Sequence, residues 1–335
     1  MHPAASVKLW NARRAFCVTL AILMPAISTL DLRWAGYPRS IASALLRFGP
    51  VAALVDPGPS STLPELRAQL GVHGLRVTDL HAILLTHIHL DHAGATGSLV
   101  RENPALRVFV HSRGSRHMIN PLKLIQSAAR LYGDDMQRLF GDFLAVPEAN
   151  LHILEGGETI SLGERTLQVF YTPGHASHHV TYFDAEERIA FVGDTAGISI
   201  EGHPFILPAT PPPDIDLALW DASLDSITKL QPARLFLTHF GFSDRPTEHI
   251  ANYRARLHHW ADLAENILRT APDEVAAMNA FAREVSAEAA KHLSAEELAH
   301  YAFNGALNLS WLGLARYHRK RLEAAQTNTS PAAAQ

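Results

Sequence analysis

The chain contains a single cysteine, Cys17, in 335 residues. That excludes a disulfide framework within the chain and any zinc site built from several thiolates. Cys17 lies in an apolar N-terminal stretch, where a buried or leader-segment thiol is expected rather than a catalytic one. No long Lys/Arg run is present, and the formal charge is -4 with histidine neutral. Nucleic acid is therefore not an expected partner. No internal repeat is visible. No serine or cysteine elbow marks a side-chain nucleophile. Past the N-terminus, no apolar run is long enough to span a bilayer, so no stable membrane span is expected.

The N-terminus is open to two readings. Lys8, Arg13 and Arg14 precede an apolar stretch, Ala15 to Ile27, followed by Ser28 and Thr29. This is the order of a signal peptide, which would make residues 1–28 a leader and the protein exported. The stretch is short for a membrane span, and Pro25 would disturb a helix there. The alternative, slightly favoured, is an N-terminal extension over residues 1–29 on a cytoplasmic enzyme.

What is abundant is apolar residues and histidine. Hydrophobic residues make up 47% and charged residues 19%. That is ample for a large core in one domain or two. The chain has 20 histidines, several at the ends of apolar runs where loops begin.

From about Leu30 to residue 246 the pattern alternates strands and helices, which predicts a layered α/β architecture. Ile41 to Leu46 and Val51 to Val55 read as paired strands, the second ending in the turn Asp56-Pro57-Gly58-Pro59. Leu63 to Leu70 has helical spacing, and Asn120 to Val146 reads as a helix with a wide apolar face. Further strands are expected at Ile83 to Leu85, Val108 to His111, Leu151 to Leu154, Thr166 to Tyr171, Val180 to Phe183, Ile189 to Val192 and Leu235 to Leu237. Leu217 to Leu230 reads as a helix. Over 247–325 three helical segments are expected, Thr247 to Arg269, Asp273 to His292 and Ala295 to Ala324, punctuated by Pro272 and Ser294. The polar tail 326–335 is expected to be disordered.

The strongest chemical signal is His87-x-His89-x-Asp91-His92, directly after a short apolar strand and Thr86. Four donors within six residues can converge on adjacent metal ions from a loop or first helical turn. Imidazole and carboxylate suit zinc, and also iron or manganese. His175 after Tyr171-Thr172-Pro173-Gly174, Asp194 after Phe191-Val192-Gly193, and His239 after Phe236-Leu237-Thr238 stand in similar strand-end settings. Donors grouped at one edge of a layered fold make an open site.

The ordered set Asp56, His87, His89, Asp91, His92, His175, Asp194 and His239 resembles the metallo-β-lactamase superfamily. The resemblance implies a four-layered αββα sandwich with a C-terminal helical extension and a two-metal site, zinc being the expected ion. It assigns His87, His89 and His175 to one metal, Asp91, His92 and His239 to a second, and Asp194 to both. Asp56 would support the ligands from behind. The absence of a cysteine at the motifs and the presence of His89, where the flavodiiron branch has Glu, point to small-molecule hydrolases similar to glyoxalase II and quorum-signal lactonases. In several of these, C-terminal helices close over the pocket or form a dimer interface, so a homodimer is an expectation.

One departure stands out. His175 is followed by Ala176-Ser177-His178-His179, with His178 where glyoxalase-like members often have glycine. His179 is read as a loop support near the metals. The glutathione-binding residues of glyoxalase II have no match. The expected reaction is hydrolysis of a small ester, lactone or thioester through a metal-bridging hydroxide, with Asp91 also orienting the nucleophile or passing on its proton. The alternatives are β-lactam or phosphoester hydrolysis at the same site, or iron-dependent oxidation as in sulfur dioxygenases. His203 is a minority candidate for facing the pocket. His73, His81, His111 and His117 are read as ordinary hydrogen-bonding residues, His258, His259 and His300 as helix surface or interface, and Trp260, Tyr301, Phe303 and Trp311 as helix packing, a share of them lining an apolar substrate pocket as the alternative.

Overall fold

The computed structural model describes residues 26–199 and 205–329. Cys17, the leader-like residues up to Pro25, and His203 lie outside the described residues.

The first part of the chain runs β1 (Ile27–Asp31), β2 (Ala42–Phe48), β3 (Val51–Val55), α1 (Leu63–Val72), β4 (Leu80–Leu84), α2 (Leu90–Ala93), α3 (Thr96–Glu102), β5 (Arg107–His111), α4 (Ser112–Ile119), α5 (Leu122–Tyr132), α6 (Met136–Phe140) and β6 (Leu151–Leu154). The second part runs β7 (Thr159–Leu162), β8 (Arg165–Tyr171), β9 (Val180–Asp184), β10 (Ile189–Gly193), β11 (Ile198–Ser199), β12 (Ile206–Leu207), α7 (Leu217–Lys229), β13 (Arg234–Leu237), β14 (Gly241–Ser243), α8 (Pro246–Thr270), α9 (Glu274–Ala289), α10 (Ala295–Gly305) and α11 (Leu307–Thr329).

Two sheets form, one in the order β1-β2-β3-β4-β5-β6 and one in the order β14-β13-β10-β9-β8-β7. Alternate residues of the central strands point into different cores, as the strand period requires. In β3, Leu54 packs outward under helices while Ala53 and Val55 face the other sheet. In β10, Ala190 and Val192 pack outward while Ile189 and Phe191 face inward. Three apolar clusters result among the described residues. One joins the first sheet to α1–α6, one lies between the sheets, and one joins the second sheet to α7–α11. Four layers with three cores between them make an αββα sandwich.

The C-terminal helices are part of that last core. Leu257, Trp260, Phe281, Tyr301 and Trp311 share it with Leu235 and Leu237 of β13. Phe303 instead packs on Trp34 beside the first sheet's helices. Caps explain the boundaries: Asp273 accepts from Ala276 N at 2.8 Å, and Ser294 and Glu297 form a reciprocal capping box.

Several expectations are corrected. The stretch 120–146 is two helices and an extended run. Gly133 and Gly141 take positive φ of 52° and 65° and end α5 and α6. The segment from Ala295 is two helices, because Ala306 is left-handed with φ 39°. Four C-terminal helices, not three, are therefore found among the described residues. The last of them continues to Thr329, into the tail expected to be disordered. β1 begins at Ile27, inside the stretch assigned to the N-terminal extension. No helix among the described residues is long and apolar enough to cross a membrane.

Candidate metal centre

The motif residues leave the end of β4 and enter α2 within a few residues. His89 is still extended, with φ -60° and ψ 153°, and Leu90 begins the helix. That switch sends His87 and His89 to one side of the loop and Asp91 and His92 to the other. His175 follows β8, Asp194 follows Gly193 at the end of β10, and His239 follows β13. Gly193 has φ 48°, and a Cβ there would lie 2.5 Å from Thr86 Oγ1 and 2.6 Å from His179 Nε2. Only glycine lets the β10 terminus approach this closely and deliver Asp194.

The structure brings all seven expected donors together, in two groups. His87, His89, His175 and Asp194 form one, and Asp91, His92 and His239 the other. Within each, the donor atoms lie within 4.8 Å of one another. His89 Nδ1 is 3.0 Å from both His87 Nε2 and His175 Nε2. Asp194 lies between the groups. Its Oδ2 is 3.4 Å from His175 Nε2 and 4.0 Å from His87 Nε2, while its Oδ1 is 3.2 Å from His92 Nε2 and 3.7 Å from His239 Nε2. Asp91 Oδ2 is 3.3 Å from His239 Nε2.

Four of the five histidines have their outward nitrogen engaged. His87 Nδ1 lies 3.1 Å from Thr86 Oγ1, and His92 Nδ1 lies 2.8 Å from Asp56 Oδ2. His175 Nδ1 donates to Ala209 O and His239 Nδ1 to Ser40 O, each at 2.8 Å. Donation outward leaves the Nε2 lone pairs facing inward, the arrangement of ligating imidazoles. Lone pairs so close repel one another unless a cation sits among them. His92 Nε2 and Asp194 Oδ1 are buried with no hydrogen-bond partner, which metal ions would supply. The donor set fits zinc, iron or manganese.

Asp56 holds this arrangement from behind. Fully buried, it accepts from Thr86 N (2.8 Å), Thr86 Oγ1 (2.6 Å), Thr238 Oγ1 (2.8 Å) and His92 Nδ1. Thr86 lies two residues beyond β4 of one sheet and Thr238 one residue beyond β13 of the other, so one carboxylate ties the two sheets at the site. Sequence reasoning missed both threonines. Their signal was the repeated Leu-Thr-His at 85–87 and 237–239. His179 is buried, with Nδ1 3.0 Å from Thr172 Oγ1 and 3.1 Å from Thr195 Oγ1. It sits beneath the donors and joins the loops of His175 and Asp194. His178, given no role from sequence, lines the cleft and accepts from Ile88 N at 3.4 Å.

The electrostatics divide the same way. Burial, then His92 and the other neighbouring rings, hold His87 well below the usual histidine range. Burial and His175 lower His89 to about 4. Burial opposes charge on His92, but Asp194, Asp91 and Asp56 together push it well above that range. Burial would raise Asp194, yet His92, His239 and His175 hold it well below the carboxylate range. Anionic carboxylates facing neutral or cationic rings are ready to exchange protons for metal.

His89, Asp91, Asp194 and His239 form the floor of a cleft of about 640 Å³, with the other donors buried behind them. Its walls come from α4, α5 and α6, from the loop Pro211–Asp214, and from residues 304–310 of the C-terminal helices.

Comparison with known proteins agrees with this architecture. A match to the Metallo-beta-lactamase superfamily spans residues 36–239. The metallo-beta-lactamase fold-containing protein ST1585 of Sulfurisphaera tokodaii is 28% identical over 194 residues, 57% of this chain and 69% of that one. A hydroxyacylglutathione hydrolase of Methylobacterium sp. is 35% identical over 133 residues, so the chain matches only 40% of that relative's length. The structure of the metallo-beta-lactamase family protein TTHA1429 from Thermus thermophilus superposes with a TM-score of 0.63. It covers 89% of this chain and 95% of that one at 23% identity, a likeness of fold. The chain belongs to the metallo-beta-lactamase superfamily.

Proposed function

We propose that the chain is a dinuclear hydrolase that cleaves a small-molecule ester, thioester or lactone. The observation that carries this reading is Asp194, whose two oxygens face two different groups of donors. His87, His89 and His175 would hold one ion, Asp91, His92 and His239 the second, and Asp194 both. Zinc is the ion we expect. Such a pair of ions, when bound, acidifies a water toward hydroxide near neutral pH and polarises the bond under attack.

The chain's own residues supply position. Asp91 is the most open carboxylate of the floor, its side chain 22% exposed. It is placed to orient a nucleophilic water or to take its proton. Leu124, Leu131, Tyr132 and Leu309 give the cleft apolar walls that exclude bulk water around an acyl group. The resemblance to hydroxyacylglutathione hydrolases supports an acyl substrate.

The test is metal quantification paired with hydrolysis of lactones, thioesters, aryl esters, phosphotriesters and β-lactams. About two ions per chain and chelator-sensitive cleavage of an acyl substrate are expected. A single iron with oxygen consumption assigns oxidation instead, and activity confined to phosphotriesters or β-lactams rejects the acyl reading.

A further inference from the structure

The cleft is chemically lopsided. On its floor sit the metal donors. Along its rim, α4 and α5 carry Arg113, Arg116 and Lys123, all exposed and all lining the same cavity as His89, Asp91 and Asp194. Arg113 and Arg116 are three residues apart and share a face of α4, opposite the buried Gly114 and Met118. In α5, Lys123, Leu124, Ser127, Ala128 and Leu131 form one stripe toward the cavity.

The rim is fixed to the floor. A Cβ on Gly114 would lie 2.9 Å from Ile88 Cγ2, and Ile88 stands between His87 and His89. The helix that carries the two arginines therefore docks on the metal loop itself. No carboxylate among the described residues pairs with any of the three cations; the one polar contact is Arg116 Nε to His117 Nε2 at 3.3 Å. The one acid on this rim, Asp214, already accepts from Ser177 Oγ at 2.6 Å. Burial lowers the pKa of His117, and Arg116 and Lys123 beside it lower it further against the pull of Asp214. A chain with net charge -4 thus concentrates unpaired cations where a substrate would enter. Guanidinium groups in this setting suit the paired oxygens of a carboxylate or phosphate.

We propose that the substrate carries a carboxylate or phosphate remote from the bond that is cleaved, bound by Arg113, Arg116 and Lys123, with an apolar spacer against Leu124, Leu131 and Tyr132. The identity of the cleaved bond rests on the hydrolase reading above; the anion site does not.

The metal-loaded protein is assayed on 4-nitrophenyl hemiglutarate and on its methyl ester, in which a neutral ester replaces the terminal carboxylate, with release of 4-nitrophenol as the readout. The acid should be preferred in kcat/KM by about tenfold at low ionic strength, and salt should erode the preference. In Arg113→Ala/Arg116→Ala/Lys123→Ala, with metal content as in the parent, the ratio should collapse toward one, mainly through KM. In Arg116→Glu it should fall below that of the parent. Equal use of the two esters by the parent chain, or a preference that survives in the triple variant, overturns the proposal.

If neither ester is cleaved, the acyl-hydrolase reading is at fault, and calorimetry still decides the anion site. Hippurate should bind more tightly than hippuramide, and the triple variant should lose that difference. A carboxylate preference retained by the variant means coordination at the metals and overturns the rim site. Benzoylaminomethylphosphonate in place of hippurate separates the two anions: tighter binding than hippurate assigns phosphate, weaker binding carboxylate.

Discussion

The floor and the walls of the cleft are built on different terms. On the floor, five of the seven donors follow strand ends or the loop leading from one, Asp91 and His92 sit in the short helix that such a loop enters, most of the seven are buried, and their supports are themselves hydrogen-bonded. The walls are helices whose cavity-facing side chains are mostly half-buried or exposed and make few hydrogen bonds. The sheets anchor the reaction, because strand ends in a packed sandwich hold donors to within a fraction of an ångström. The helices are left free to select the substrate, since a changed side chain there does not disturb the donors.

The sharpest way to break that contrast is to act on the floor. Asp194→Ala removes the carboxylate shared by both donor groups. Metal content should fall and hydrolysis should drop by about a thousandfold or more, together. A variant that keeps two ions and most of its activity would mean that the groups do not act as one centre. Asp56→Ala comes next. It leaves the ligands in place but strips the acceptor from Thr86, Thr238 and His92, all buried. Metal affinity should fall about ten- to a hundredfold, and stability by about 3–5 kcal/mol, read by chelator competition and denaturant melts.

The same contrast governs what could be read from sequence. His87 to His92 is legible because four donors crowd into six residues. His175, Asp194 and His239 are legible because each follows an apolar run that had to be a strand. Thr86 and Thr238 were passed over because a threonine becomes a support only when two sheets bring it to the same carboxylate. The breaks at Gly133 and Gly141 were visible as glycines. The break at Ala306 was not, because alanine gives no sign of a left-handed turn and tertiary packing overrides its helix preference. Arg113, Arg116 and Lys123 carried no signal in the sequence, since nothing in their spacing says that α4 and α5 fold over the metal loop.

One residue braces the floor from behind and gives a middle-sized effect. His249, in the first turn of α8, donates from Nε2 to Ala196 O at 2.9 Å, two residues beyond Asp194. Burial lowers its pKa to about 4 against the pull of that hydrogen bond. The unfolded chain takes up a proton near pH 6.5 that the folded chain refuses until about pH 4. The neutral ring's contribution is therefore full above pH 6.5 and shrinks by up to about 3 kcal/mol as the pH falls to 4. His249→Gln keeps a donor but cannot titrate. The stability advantage of the parent over this variant should narrow as pH falls through that window, while the metal ligands contribute equally to both. An advantage that stays flat from pH 7.5 to 4.5 would show that α8 does not brace the floor through a neutral histidine.

The smallest effect is expected on the wall. Leu131 lies half-buried on the cavity-facing stripe of α5, with no contact to the donors' hydrogen bonds. Leu131→Ala should cost about 1 kcal/mol of stability, less than a fully buried leucine, because the site is open to water already. Metal content should be unchanged. The KM of an apolar acyl substrate should rise about fivefold, with kcat nearly constant, since a wall contact made equally in ground and transition states changes binding alone. If kcat falls by the same factor as kcat/KM, Leu131 is aligning the scissile bond over the donors. Selection and chemistry would then not be divided between helices and sheets, and the contrast between walls and floor would have to be redrawn with α5 on the side of the floor.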